Sequence, residues 1–109
     1  MSWKVKFFQN TREESLVDNF INDQDETTHA KILHSILLLK NGGPFLMPPY
    51  TKKLQPNLYE LRTSGKNAVR IFYTMINGEY YLLHAFKKKT QRTPPKEIKI
   101  ALDRIRKLI

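Results

Sequence analysis

The sequence predicts an α+β domain in which helices pack on one face of a small, twisted, mainly antiparallel sheet. Its 109 residues fit a single domain over 1–109. The apolar residues follow a helical spacing between residues 16 and 42 and a strand spacing after residue 58. A second helical pattern occupies the end of the chain, so the predicted order is β-α-α-β-β-β-α.

The first half of the chain predicts one strand and two helices. The strand is indicated by apolar residues that alternate with lysines, namely Trp3, Val5 and Phe7. Thr11 and Glu14 have the spacing of a capping box, which predicts the start of the first helix. Asp23 is the expected N-cap of the second helix, and the run Gly42-Gly43-Pro44 is expected to end it.

The middle of the chain predicts a connector without helix. Four prolines stand between residues 44 and 56, and proline interrupts the helical hydrogen-bond ladder. An extended crossing segment is therefore expected there. Its anchors are the apolar residues Phe45, Leu46 and Met47.

The second half predicts three strands and a helix. The strands are Leu58 to Arg62, Val69 to Ile76 and Glu79 to Lys87. Asn77-Gly78 suits the two positive-φ positions of a type I′ turn, which predicts a two-residue hairpin. Thr93 is the expected N-cap of the last helix, with Pro94 as its first residue. The apolar stripe of that helix is Ile98, Ala101, Leu102, Ile105 and Leu108.

The hairpin register predicts which side chains share a face of the sheet. A two-residue turn places Ile71 opposite His84 and Val69 opposite Phe86. Tyr73 lies on the same face, which the helices are expected to cover. The loop through Gly65 leaves the register of the preceding strand against Arg70 open. The economical arrangement places the charged strand residues together on the uncovered face: Glu60, Arg62, Arg70 and Lys87.

Net charge is the strongest compositional signal. The chain has 19 Lys and Arg against 10 Asp and Glu, which gives a net charge of +9. Such an excess attracts polyanions, so nucleic acid is the leading partner class. Basic charge that serves only solubility is an equally good interpretation of composition alone.

Other classes of function are disfavoured by what the sequence lacks. Without Cys there is no disulfide framework, thiolate metal site or cysteine nucleophile. His29, His34 and His84 are widely scattered, so no metal site is expected. Apolar runs long enough for a membrane span or a signal peptide are also missing, and the expected location is the cytoplasm.

The predicted charged face contains candidates for phosphodiester chemistry. Arg62 and Arg70 on paired strands can grip phosphate oxygens and stabilise a pentacovalent transition state. A solvated strand face is the alternative. Glu60 is a candidate general base for a ribose 2′-hydroxyl, although a salt bridge to either arginine is the favoured interpretation of the sequence. Further cations extend this array at the strand end: Lys87, Lys88, Lys89 and Arg92.

Four more residues are weaker candidates. Lys52 and Lys53 follow the proline-rich bend and either hold a flanking phosphate or form an ordinary basic loop. His84 is a possible proton shuttle, but a core or edge histidine is the favoured interpretation. Tyr73 faces the same way and has the same alternative.

Four runs of sequence together resemble a known family. They are PPYTKKL at 48–54, LYELR at 58–62, RIFY at 70–73 and LLHAFKKKTQRTP at 82–94. Together they are similar to the HigB-type branch of the RelE toxin superfamily, a branch often labelled phage-derived-protein-like. The N-terminal strand and helices match that superfamily only in their order.

The resemblance implies a RelE-like fold and the toxin of a type II toxin–antitoxin system. The implied activity is that of an mRNA interferase, a ribosome-dependent endoribonuclease that inhibits translation without a metal or cofactor. The implied partners are mRNA on the 70S ribosome, ribosomal RNA and a helix-turn-helix, HigA-like antitoxin. A noncatalytic basic phage-type protein that binds nucleic acid or a regulator is the alternative.

The resemblance also implies roles for individual residues. Arg70 matches the superfamily arginine that holds the scissile phosphate. Arg62 with Lys87 or Lys88 is implied to stabilise charge, and one lysine to protonate the leaving 5′-oxygen. The base is Glu60 in the leading hypothesis, with Tyr73 and His84 as the other candidates. Catalysis mainly by clamping the phosphate inside the ribosome is a further possibility.

Overall fold

A computed structural model of the chain describes residues 2–65 and 67–109. The elements are β1 (Val5–Phe7), α1 (Leu16–Asn22), α2 (Glu26–Gly42), a 3-10 turn (Gly43–Phe45), β2 (Thr51–Gln55), β3 (Leu58–Arg62), β4 (Val69–Ile76), β5 (Glu79–Lys87) and α3 (Pro95–Leu108). The strands form one sheet in the order β1-β5-β4-β3-β2. Only β1 and β5 are parallel, so the predicted α+β class with a mainly antiparallel sheet is confirmed.

Both predicted N-caps of the first two helices are wrong by a few residues. The hydroxyl of Ser15 caps α1 by accepting a hydrogen bond from the Asp18 amide at 3.1 Å. Asp25 caps α2, and Asp23 instead ends α1. The expected cap at Thr11 fails because the side-chain oxygen of Asn10 accepts two amide hydrogen bonds and folds the following residues into a turn.

The proline-rich connector contributes a strand that the sequence analysis did not predict. After Pro48 and Pro49, residues Thr51–Gln55 pair antiparallel with β3 at the edge of the sheet. Proline is absent from these five positions, so their amides are free to join the ladder. The sheet therefore has five strands, one more than expected.

The predicted β4–β5 hairpin is confirmed at its turn. Asn77 has φ 52° and Gly78 has φ 78°, as a type I′ turn requires. The predicted register also holds from Ile76 opposite Glu79 back to Tyr73 opposite Leu82.

The register is wrong beyond that point because the hairpin contains a β-bulge. Leu83 is the extra residue, so Phe72 lies opposite His84 and Val69 lies opposite Lys87. Since side chains alternate along a strand, one extra residue moves all later side chains to the other face. His84 therefore shares a face with Arg70, whereas Lys87 leaves that face.

Helices cover both faces of the sheet, which corrects the prediction that they cover only one. Helices α1 and α2 bury one face around a cluster that includes Val17, Ile21, Ile32, Leu39, Leu61, Val69 and Ile71. Helix α3 packs on the opposite face against Phe8, Leu58, Phe72 and Leu83 through Ala101 and its apolar stripe. Within residues 2–65 and 67–109, no helix is long and apolar enough to cross a membrane.

Candidate functional site

The arginine pair lies where the ends of β3 and β4 meet. Arg62 is the last residue of β3 and pairs directly with Arg70 on β4. Glu60 is two residues before Arg62, so the pleat of the strand places it on the same face. The structure thus brings together these three residues, as the sequence analysis expected. We call them the arginine cluster.

Glu60 is the centre of the arginine cluster. Its side chain has 0% exposure. Oε1 accepts a hydrogen bond from Arg62 Nε at 2.8 Å and lies 3.6 Å from Arg70 Nε. Oε2 accepts a hydrogen bond from the Thr93 hydroxyl at 3.1 Å. These contacts match the salt bridge that the sequence analysis favoured for Glu60.

Arg70 is the more buried of the two arginines, with 8% exposure. Its Nη1 donates to the carbonyls of Thr63 and Val69, both at 3.1 Å. Its Nε is buried and finds no hydrogen-bond partner among the described residues. Burial lowers the pKa of Arg70 despite the nearby Glu60, and the charge of Arg62 lowers it further. One carboxylate therefore faces two guanidinium groups, and the cluster favours an additional anion.

A cleft of about 610 Å³ opens beside the arginine cluster. It runs from the two arginines along α2 and the loop between β3 and β4. Its described lining residues are Ala30, Lys31, His34, Ser35, Leu38, Pro49, Tyr50, Arg62, Thr63, Ser64, Gly65, Ala68 and Arg70. None of these is acidic, so the cleft is suited to a negatively charged ligand.

Lys88, and not Lys87, accompanies the arginines. Lys88 follows β5, and its backbone amide bonds to the carbonyl of Ala68 at 2.9 Å. Partial burial lowers the pKa of Lys88, with further lowering by Arg70 and Arg62. Lys87 is exposed and lies opposite Val69, on the face covered by α1 and α2. Because of the bulge in β5, the predicted position of Lys87 on the face of the arginine cluster is wrong.

The other predicted RNA-binding residues are divided between several places. Lys52 lies opposite Glu60 and thus on the face of the arginine cluster, whereas Lys53 lies opposite Tyr59 on the other face. Lys89 borders a shallow groove together with Lys88. Arg92 is exposed in the segment between β5 and α3.

Tyr73 lies on the opposite face of the sheet from the arginine cluster. Its hydroxyl is 2.6 Å from that of Thr51, and its ring stacks on Tyr59 with centroids 5.4 Å apart. Burial raises the pKa of Tyr73 to about 12. A phenol of this pKa stays protonated at neutral pH, and the structure does not bring it together with Arg70.

His84 is on the same face as Arg70, contrary to the predicted register, but it lies beneath α3. Its Nε2 is 2.6 Å from Oε2 of Glu97, and its Nδ1 is 3.5 Å from Nη1 of Arg104. Burial lowers the pKa of His84, and the contact with Glu97 opposes this shift. His84 and Glu97 border a separate cleft, whose described lining includes neither arginine of the cluster.

The sequence analysis missed residues that the fold brings to the site. Thr93 was expected to cap α3, but that helix begins at Pro95 with Pro94 as its N-cap, and the Thr93 hydroxyl binds Glu60 instead. Lys31 and His34 reach the cleft from α2. No local signal identifies such contacts, because they join distant parts of the sequence. Across 2–65 and 67–109, no three His, Asp or Glu side chains are grouped as metal ligands.

Comparison with known proteins identifies the family. The family model described as phage derived protein Gp49-like matches residues 19–106. Because this match covers most of the chain, the protein belongs to the Gp49-like family of phage-derived proteins. No curated protein matches the chain. Family membership confirms the phage-derived-protein-like part of the resemblance, while the HigB branch stays a prediction.

Proposed function

We propose that this protein is the toxin of a type II toxin–antitoxin pair and acts as a ribosome-dependent mRNA endonuclease of the HigB type. Membership of the Gp49-like family supports a phage-related toxin. The observation that carries the proposal is the arginine cluster, in which Arg62 and Arg70 share one buried carboxylate beside an open cationic cleft. This arrangement has an excess positive charge at a surface that an RNA phosphate can reach.

The proposed reaction needs stabilisation of negative charge on phosphorus. The ribose 2′-hydroxyl loses its proton to solvent water as its oxygen attacks the adjacent phosphorus, and the bond to the 5′-oxygen breaks as that oxygen takes up a proton. The products are a 2′,3′-cyclic phosphate and a 5′-hydroxyl. Arg70 and Arg62 stabilise the additional charge of the pentacovalent transition state through their guanidinium groups.

Glu60 positions the two arginines in this proposal. A fully buried carboxylate that already accepts hydrogen bonds from Arg62 and Thr93 is poorly placed to take a proton from a ribose hydroxyl. The base role of Glu60 stays the alternative hypothesis. If Glu60 only positions the arginines, catalysis depends mainly on holding the phosphate while the ribosome orients the attacking oxygen.

Lys88 is the proposed general acid. Partial burial lowers its pKa, and the charges of Arg70 and Arg62 lower it further. A lysine whose pKa is lowered gives up its proton more readily to the leaving 5′-oxygen. Lys52, Lys89 and Arg92 are proposed to contact mRNA or ribosomal RNA in the cytoplasm, and a helix-turn-helix antitoxin is the proposed inhibitor.

Induced expression in bacterial cells tests the proposal. The proteins compared are the wild type, Arg70→Ala and the control Arg106→Ala, each quantified by blot. Arg106 is an exposed arginine on α3 that pairs with Asp103. Growth and the 5′ ends of cellular mRNA are measured. We expect wild type and Arg106→Ala to arrest growth and to cut mRNA in phase with codons. Arg70→Ala should cut about 10²–10³-fold more slowly, the usual effect of removing a donor that stabilises a transition state.

The same experiment can refute the endonuclease. Normal growth and uncut mRNA with abundant soluble wild type would contradict it and favour the noncatalytic nucleic-acid-binding or regulator-binding protein. Cleavage that is unchanged in Arg70→Ala would support the toxin activity but contradict the arginine cluster as its active site.

A further inference from the structure

We infer that the cleft beside the arginine cluster binds the RNA nucleotide next to the scissile phosphate, with its base on Tyr50 and its phosphate near Lys31 and His34. The inference deepens the proposed function and rests on it, because the proposed function places the scissile phosphate at the arginine cluster. None of these three residues was a candidate on sequence grounds, because only the fold brings α2 and the proline-rich segment to the arginines.

Lys31 and His34 form one wall of the cleft. They are three residues apart on α2, a spacing that places two side chains on neighbouring positions of one helical face. Both line the cleft together with Arg62 and Arg70. The cleft thus offers donors from a helix and from two strands, which suits two successive phosphates of a strand better than an isolated anion.

The amino group of Lys31 contacts the loop between β3 and β4. Its Nζ donates to the carbonyl of Ser64 at 3.3 Å. Gly65 has φ 102°, and a Cβ at that position would lie only 2.5 Å from the same Nζ. Glycine therefore leaves room for the lysine to approach the loop. Among residues 2–65 and 67–109, Lys31 Nζ makes one long hydrogen bond, which leaves donor capacity for a phosphate oxygen.

Tyr50 is a fixed aromatic platform at the cleft. Its backbone amide donates to the Met47 carbonyl at 3.1 Å, and its carbonyl accepts from the Arg62 amide at 2.9 Å. The residue is nevertheless 48% exposed. An exposed ring on an anchored backbone is suited to stacking with an unpaired base. The hydrogen bond to Arg62 also links the backbone of Tyr50 directly to the arginine cluster.

Size and charge favour single-stranded RNA as the ligand. The volume of about 610 Å³ is in the range of small-molecule sites and thus suits one unpaired nucleotide. Among the described lining residues, Lys31, His34, Arg62 and Arg70 supply basic groups without any carboxylate. The guanidinium of Arg70, whose Nε lies 3.6 Å from the carboxylate of Glu60, adds positive charge to this lining.

A binding assay that needs no cleavage tests the inference. The probe is a fluorescein-labelled hexanucleotide with 2′-O-methyl riboses, which prevents attack by the 2′-oxygen. Its anisotropy is measured against protein concentration at several salt concentrations. The variants are Tyr50→Ala and Lys31→Ala. Their matched controls are Phe45→Ala, an exposed aromatic of the same segment, and Lys40→Ala, an exposed lysine of the same helix. Neither control residue lines the cleft.

We expect distinct losses for the two variants. Tyr50→Ala should raise Kd about tenfold, the usual effect of losing one base–aromatic stack, and leave the salt dependence unchanged. Lys31→Ala should raise Kd and reduce the slope of log K against log salt by roughly 0.7, as expected for one phosphate contact on a single strand. Both controls should bind within about twofold of wild type, as expected for surface changes away from the site.

The outcomes separate this inference from the proposed function. Binding by Tyr50→Ala and Lys31→Ala that equals wild type would overturn the inference even if Arg70→Ala abolishes mRNA cleavage in cells. Loss of binding in both variants supports the cleft as an RNA site even if the wild type cuts nothing. Cross-linking of an RNA that carries 5-iodouridine, followed by peptide mass spectrometry, should locate the base at Tyr50. A cross-link found only outside the cleft would overturn the inference.

Discussion

The arginine cluster and the cluster around His84 lie on the same face of the sheet but differ in charge balance. In the first, Glu60 compensates only one of two arginines. In the second, burial favours the neutral form of His84 while the carboxylate of Glu97 and the guanidinium of Arg104 offset each other. The two regions show that similar residues on one face can differ in net charge, depending on how many cations face one carboxylate.

The arginines of the two clusters also differ in what they pack against. Arg104 donates to the carbonyl of Leu83 at 2.6 Å and lies over the ring of Phe8, with 5.6 Å from Cζ to the ring centroid. It therefore helps to fix α3 on the sheet. Arg70 instead borders an open cleft and keeps a buried donor without a partner among the described residues. Excess charge together with access distinguishes a ligand site from a structural ion pair.

The largest predicted effect compares the carboxylates of the two clusters. Glu60→Ala leaves two adjacent guanidinium groups without their carboxylate, so we expect the free energy of unfolding to fall by about 3 kcal/mol. Glu97→Ala leaves a neutral imidazole, for which we expect a loss of about 1 kcal/mol. Urea unfolding followed by circular dichroism measures both. Equal losses would show that the charge balance of the clusters does not differ as the structure indicates.

Glu60→Gln separates the charge of this residue from its shape. The amide keeps the size of the side chain but removes the negative charge. We expect lower stability than wild type and, because the arginines lose their orientation, slower mRNA cleavage. Wild-type cleavage by soluble Glu60→Gln would exclude the base role and show that the charge of Glu60 is not needed to orient the arginines.

The next prediction compares the two neighbouring lysines at the end of β5, Lys87 and Lys88. Lys88→Ala removes the proposed acid near the arginines, and we expect cleavage on purified ribosomes to slow about a hundredfold. Lys87→Ala is the matched control because this neighbouring lysine lies on the other face. Single-turnover cleavage with capping of the new 5′ ends gives both rates. A larger loss in Lys87→Ala would favour the original register-based prediction.

The smallest effect concerns pH. Burial lowers the pKa of His84 below its ordinary value of 6.5, so the unfolded chain takes up a proton at higher pH than the folded one. The stability due to neutral His84 is thus present above pH 6.5 and is lost as the pH falls toward the folded pKa. We expect urea midpoints measured from pH 7.5 to 5.5 to fall less in His84→Gln than in wild type. Parallel curves would contradict the burial of a neutral imidazole.

Local patterns predicted much of the fold and of the arginine cluster. The period-two alternation located β3, β4 and β5, and Asn77-Gly78 located the turn, because these signals depend on neighbouring residues. The shared face of Glu60 and Arg62 follows from their spacing on one strand. The cap of α1 was misplaced because Asn10 forms a competing local turn that the capping-box spacing does not reveal.

By itself, the sequence determined the α+β class, the hairpin turn, the basic net charge and the presence of an arginine on each of two neighbouring strands. These features follow from composition and from the spacing of residues that are close in the chain. Only the tertiary structure decided which lysine joins the arginines. A single bulge residue, Leu83, moves every later side chain of β5 to the other face of the sheet, and Leu83 itself packs beneath α3. The cleft itself also required the fold, because its walls come from α2, β3 and a loop that are distant in the chain.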